Sequence, residues 1–464
     1  MRLAVVGGTA AGPAAAVEAV RHGADVVLFE AGPHVSVGAC EIPYHVAGQL
    51  GGASLIVRTP AQLGADGVDV RTRHRVTALD PGRGRLTVDA LDFGSTHEER
   101  FDRLILATGA RARRLGIPGE DAAGVFPLRT LADADALRAW LDAEDVRHVV
   151  VAGGGYVGVE MAEALRARGL RATILDGHGR VLAGALDPSL AAPMDAAVRA
   201  AGVTVRAERP VEILADGAGR VRAVRTDRRE LIGCQAVVVA VGVEPVTELA
   251  AAAGIRLGAT GGIATDDAMR TSHRAVWACG DVAEVPRAVD GRRILWPLAP
   301  VGRRTARVAA RNAASRATAA PETVAPIAAS AAVRVFGVEA ATVGLSLAEA
   351  IAAGLDAVAE TIWAGSRTHH FPGRRAVGVR LVAERGSGRL LGGQLVGAEG
   401  AALRANVLVP MIRAGATARA LAEDTDLVYN PPLAPAVDPL RVAAREVQKL
   451  AEQGTTGARG RRRR

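Results

Sequence analysis

His148-Val149-Val150-Val151-Ala152-Gly153-Gly154-Gly155-Tyr156-Val157-Gly158 runs an apolar strand directly into an intact G-x-G-x-x-G. Glycines at this spacing permit a tight turn and let backbone N–H groups approach a pyrophosphate, whose charge meets the N-terminus of the following helix. The next strand ends at Asp176, about 20 residues on, where a carboxylate can accept from a ribose hydroxyl. Gly153, Gly155, Tyr156, Val157, Gly158, Glu160 and Asp176 are therefore the expected pyridine-nucleotide residues, with Gly242 closing the later strand Ala236 to Gly242. The acid at 176 favours NADH over NADPH, while nearby Arg180 is placed to reach a 2′-phosphate.

The same pattern stands at the N-terminus. The strand Arg2 to Gly8 enters Gly7-Gly8-Thr9-Ala10-Ala11-Gly12, and Pro13 can start a helix. Thr9 occupies the place of the middle glycine. A second strand, Asp25 to Phe29, leads into Glu30 as a ribose-binding acid. Two such units in one chain imply two dinucleotides. Three more segments belong with them: Asp102 to Gly109 with its Ala107-Thr108-Gly109 turn, Ala236 to Gly242, and Ala275 to Asp281, whose aspartate follows a strand and a glycine.

A length of 464 residues calls for roughly two to four domains. No uncharged apolar stretch is long enough to span a membrane, so no membrane association is expected. Arg2 and the apolar run to Val20 imitate a secretory signal. Cleavage there would remove half of a nucleotide-binding unit, and a cytoplasmic location is expected instead. The net charge of +8 is carried almost entirely by scattered arginine, Lys449 being the single lysine. No nucleic-acid partner is expected, and the cluster Arg459 to Arg464 reads as a disordered basic tail. Cys40, Cys234 and Cys279 form no C-x-x-C and have no metal-ligand spacing, so neither a disulfide framework nor a metal site is indicated. Cys234 and Cys279 border apolar strands and read as core. Cys40 lies before a helix start, a setting that lowers a thiol pKa, although Glu41 beside it opposes ionisation.

With these motifs in view, the chain resembles the flavoprotein pyridine nucleotide-disulfide oxidoreductases from Arg2 to about Leu450. Within them it is similar to the single-cysteine coenzyme A disulfide reductase and NADH oxidase group. The segment His34 to Tyr44, with Cys40-Glu41-Ile42-Pro43-Tyr44, carries the likeness, and His45 stands where a dithiol enzyme has its second cysteine. Pro297-Leu298-Ala299 resembles the group's return to the flavin, with Thr305-Ala306 in place of its usual Gln-Gly. Leu427 to Pro432 and Asp438-Pro439 match a tyrosine loop of the dimerisation domain.

The resemblance implies an α/β fold with two Rossmann-like domains, for FAD and NAD(P), and a C-terminal α+β dimerisation domain. The implied boundaries are 1–118 and 246–324 for the FAD domain, 119–245 for the NAD(P)H domain, 325–450 for dimerisation and 451–464 for the tail. FAD falls to Gly7, Ala11, Gly12, Glu30, Val76, Thr108, Gly109, Asp281 and Ala299, and electrons come from NADH or NADPH. The implied activity is reduction of coenzyme A disulfide or a related small disulfide by an attacking Cys40 thiolate. Tyr429 from the other subunit of a homodimer acts as acid, since no histidine follows His370.

Departures from the group's pattern leave the acceptor open. Only Arg21 remains of the basic residues on the first helix, and His370-Phe371-Pro372-Gly373 lacks a second tyrosine. An NADH oxidase or peroxidase cycling Cys40 through sulfenic acid is the first alternative, although Ala10 replaces the histidine such members carry. A polysulfide or persulfide reductase is the second, and a redox sensor without turnover the third.

Overall fold

The strand Arg2–Val6 is buried at every position after the first and His148–Ala152 at all five. Strands with no wet face belong in the middle of parallel sheets covered on both sides, and both occupy that place. The computed structural model describes residues 1–143, 145–315 and 320–453; most of the expected tail, from residue 454, lies outside them.

The first parallel sheet has the order Val276–Ala278, Arg103–Leu106, Arg2–Val6, Asp25–Glu30, Val68–Thr72. The second repeats it as Val125–Pro127, Ala236–Val239, His148–Ala152, Arg171–Leu175, Thr204–Arg206. In each, an antiparallel three-stranded meander lies in the chain between the fifth and second strands of that order: His74–Asp80, Arg85–Ala90 and Ser95–Arg100 in one, Pro210–Ala215, Val221–Thr226 and Leu231–Gly233 in the other. The chain leaves the first unit along Ala110–Ala112 and returns along Val243–Pro245, which pair antiparallel. Val276–Ala278 then completes the first sheet beside Arg103–Leu106. The architecture is thus α/β with two Rossmann-like sheets.

The repeat extends to single atoms. Gly7 and Gly153 both have φ +105°, which favours glycine. A Cβ on Gly12 would stand 1.8 Å from the carbonyl oxygen of Gly7, and one on Gly158 would stand 2.0 Å from that of Gly153. The middle position is different. A Cβ on Gly155 would meet nothing within 4 Å, and Thr9, its counterpart, is exposed, so the departure from G-x-G-x-x-G carries no steric penalty. The helix after the first turn spans Ala11–Arg21, starting ahead of Pro13, which sits in the first turn where its missing N–H is not needed.

The third unit is an antiparallel sheet in the order Ala331–Val335, Val338–Gly344, Leu390–Gly397, Ala376–Glu384, Ala357–Gly365. Helices Ala401–Arg413 and Pro439–Glu452 cover it over a core of Val377, Leu381, Leu395, Leu408 and Val447. Its first hairpin turns at Phe336, whose N–H donates to Glu163 at 2.6 Å and so docks on the second unit. No described helix is long and apolar enough to cross a membrane.

Gly12→Ala should cost about 2–4 kcal/mol, because backbone on both sides of the contact must move. Thr9→Gly should stay within roughly 1 kcal/mol of wild type. Thermal unfolding and flavin content after gel filtration measure both; equal losses in the two variants would refute the close-approach account.

Candidate active site

The parallel registers bring the ends of Arg2–Val6, Asp25–Glu30, Arg103–Leu106 and Val276–Ala278 side by side. Glu30 accepts from the N–H groups of Gly8 and Gly32, both at 2.6 Å. Thr108 donates its hydroxyl to Val246 O at 2.6 Å, and Gly109 turns the chain away at φ +71°. Two helices point their N-termini here, at Ala11 and Ala299, and neither has a side-chain cap. Gly280 lies between them: a Cβ on it would stand 2.8 Å from Ala11 Cβ, and its N–H donates to the Thr305 hydroxyl at 3.1 Å. Thr305, which departs from the group's pattern, is fully buried and fastens this turn. Val76 is half-buried against the same core.

This cradle fits FAD. Uncapped helix N-termini suit a pyrophosphate, the glycines leave room for close approach, and Glu30 and Asp281 can accept from hydroxyls. The second turn has the same chemistry. Asp176 accepts from the N–H groups of Gly154 at 3.0 Å and His178 at 2.9 Å, while Gly155 begins the helix Tyr156–Ala167 without a side-chain cap. Val157 is exposed and Gly242 has φ +100°. The Tyr156 hydroxyl lies 3.4 Å from that of Thr342 in the third unit. Arg180 does not fill the role expected of it, because its guanidinium donates to Leu186 O at 2.8 Å and Ala183 O at 3.2 Å.

Cys40 sits in the one-turn helix Ala39–Glu41, directly before the helix Ile42–Val46. One face of the residue is exposed. Against the expectation from its helix-start position, its thiol pKa is raised. Protein packed around the rest of the sulfur is the main cause and the charge of Glu160 the next; Asp281 and Glu41 add to it and Arg129 opposes. A helix of five residues has a weak dipole, worth about 0.3–1 kcal/mol at most, and burial with three carboxylates outweighs it. Glu160 itself is pushed up to about 7 by burial and by Glu163. The same two acids, after burial, raise Tyr44, which Arg334 partly offsets.

The cysteine helix belongs to the first unit but is tied to the second. His45 is buried, with Nε2 2.8 Å from Asp135, and its carbonyl accepts from Arg138 at 2.9 Å. Arg168 donates to Val46 O at 3.1 Å and pairs with Asp142. Arg129 pairs with Asp281 and donates Nε to Ala110 O at 3.0 Å. Cys234 and Cys279 are fully buried, and burial pushes their thiols up to about 12, which disfavours the reactive thiolate in both.

Tyr429 is half-exposed beside the nearly bare Val428. Its loop is held within the third unit by Thr368 N–H to Pro431 O at 3.3 Å and Arg404 to Leu433 O at 3.3 Å. Arg129, Arg168, Asp135 and Glu163 were missed from sequence: each meets its partner across a long chain separation, and none lies in a motif.

Comparison with known proteins agrees with this geometry. The family model for pyridine nucleotide-disulphide oxidoreductases matches residues 1–313, and the model for that family's dimerisation domain matches residues 330–441. A relative in Pyrococcus horikoshii, an NAD(P)H coenzyme A polysulfide/persulfide reductase, is 34% identical over 96% of this chain and 98% of its own. The solved NAD-dependent persulfide reductase from A. fulgidus is 32% identical at a TM-score of 0.92, covering 97% of this chain and 83% of that one. The water-forming NADH oxidase from Lactobacillus brevis is 26% identical at a TM-score of 0.91, covering 98% and 99%.

Glu160→Gln should make Cys40 more reactive. Only thiolate is alkylated, and removing the carboxylate removes a charge that opposes its formation. Glu160 is ionised above about pH 7, so the iodoacetamide rate should exceed wild type by about threefold or more at pH 8, with the gap closing below pH 6. Identical profiles would show that Glu160 does not act on the sulfur.

Proposed function

The chain belongs to the pyridine nucleotide-disulphide oxidoreductase family, and on that premise we propose that it is an NAD(P)H-dependent flavoprotein that reduces a small disulfide through Cys40. One observation carries the choice of substrate. Cys40 has no cysteine partner in the chain, because His45 is buried and hydrogen-bonded at the second-cysteine position and the other two thiols are sealed in cores. A redox cycle of this sulfur through a disulfide must take its second sulfur from outside.

Gly7, Gly12, Glu30, Asp281 and their neighbours would hold FAD, which when bound supplies two-electron exchange between nicotinamide and sulfur. Gly153, Gly155, Gly158 and Asp176 would hold the pyridine nucleotide. The Cys40 thiolate attacks one sulfur of the acceptor, forming a mixed disulfide and breaking the acceptor's S–S bond. The departing thiolate takes a proton, for which the partner subunit's Tyr429 is the proposed donor. NAD(P)H and one proton then return the mixed disulfide to the Cys40 thiol and a second free small thiol. The sum is one disulfide, one NAD(P)H and one proton giving two thiols and NAD(P)+. Arg129, paired with Asp281, acts on the sulfur as a cation and favours its ionised form. The raised thiol pKa means that turnover should climb with pH above neutrality.

The test is to reduce the protein anaerobically with NADH, then mix it with coenzyme A disulfide, polysulfide or oxygen while following flavin absorbance. Rapid reoxidation by a sulfur acceptor, falling at least about 100-fold in Cys40→Ser and about 10- to 100-fold in Tyr429→Phe, is expected. Reoxidation by oxygen alone would assign the chain to the oxidases.

A further inference from the structure

A second cationic feature borders the pyridine-nucleotide turn, and no motif announces it. A Cβ built on Gly177 would stand 2.6 Å from Arg209 Nε and 3.1 Å from its Nη2, so the guanidinium rests on the bare backbone of the residue after Asp176. The base of the side chain is fixed. Arg209 N–H donates to Asp227 Oδ1 at 3.1 Å, and its carbonyl accepts from the Asp227 N–H at 2.9 Å. The residue is exposed, and among the described residues its guanidinium has no acid partner. The acids nearby are otherwise engaged: Glu208 and Glu230 pair with Arg206, and Asp176 accepts from Gly154, from the His178 N–H and lies 3.0 Å from His178 Nδ1.

A lone carboxylate after the second strand of such a unit selects NADH, because it binds the free 2′-hydroxyl and repels a 2′-phosphate. Here the carboxylate already accepts on both oxygens from neighbouring donors, and an arginine with no acid partner among the described residues lies against the next residue. Guanidinium is the cation best matched to phosphate, offering two parallel N–H donors.

We propose that Arg209 forms a 2′-phosphate subsite beside Asp176, so that the site takes NADPH as well as NADH. The subsite rests on the reading of Gly153 to Gly158 as the pyridine-nucleotide turn. Arg209 acts on the phosphate alone and the ribose hydroxyls remain with Asp176, so its removal changes the ratio of the two affinities.

The test is calorimetric titration of the flavin-loaded protein with NADP+ and with NAD+, in wild type, Arg209→Ala and Arg209→Lys. In Arg209→Ala the dissociation constant for NADP+ should rise about tenfold or more relative to that for NAD+, the loss of a charge-assisted phosphate contact. Arg209→Lys, which keeps the charge without the fork, should lose less. An unchanged ratio, or an equal loss for both nucleotides, would overturn the subsite. Failure of the wild type to bind either nucleotide would overturn the turn assignment beneath it, and neither result depends on which sulfur compound is the acceptor.

Discussion

The structure depends on a carboxylate at the end of a strand holding the N–H of the second glycine in the turn before it. Glu30 does this to Gly8 and Asp176 to Gly154. The bond fixes a turn that glycine alone can make, because Gly7 and Gly153 have the same left-handed φ and the helix that follows crosses their carbonyls at Gly12 and Gly158. Helix N-terminus, strand end and acid are then locked into one corner. Each corner supplies positive backbone groups and an acceptor, which is what a dinucleotide requires.

The chemistry lies where the two corners are joined. The helix bearing Cys40 is part of the first unit, yet His45, Arg138 and Arg168 tie it to the second. Glu160 sits two residues after Gly158, on the helix that begins at the second turn, and is the strongest charge acting on the sulfur. After burial, the acidity of Cys40 answers to a charge from the other nucleotide unit, and Arg129 joined to Asp281 is a second link between the two.

Both turns and the acids that hold them are legible in the sequence because a dinucleotide turn needs fixed residue types at fixed local spacing. Thr9 departs from the G-x-G-x-x-G pattern, and the open space at the matching position of the second turn shows why a side chain is tolerated there. The raised thiol pKa of Cys40 is legible only in part, through Glu41. The helix start is local and visible, whereas burial and Glu160 arise from contacts between distant segments. Thr305 looked like a departure from pattern and proves to be a buried fastener of Gly280. Arg180 is near Asp176 in sequence but donates to backbone carbonyls, while the arginine that lies against the residue after Asp176, Arg209, comes from a different strand junction.

The central claim is that Cys40 exchanges electrons with a sulfur from outside the chain. It is tested most directly by incubating the protein with a small disulfide, removing the excess, and titrating anaerobically with NADH while counting released thiol. Wild type should consume one equivalent of NADH more than Cys40→Ser and release one small thiol per chain. Equal consumption by the two proteins, with no thiol released, would contradict the account.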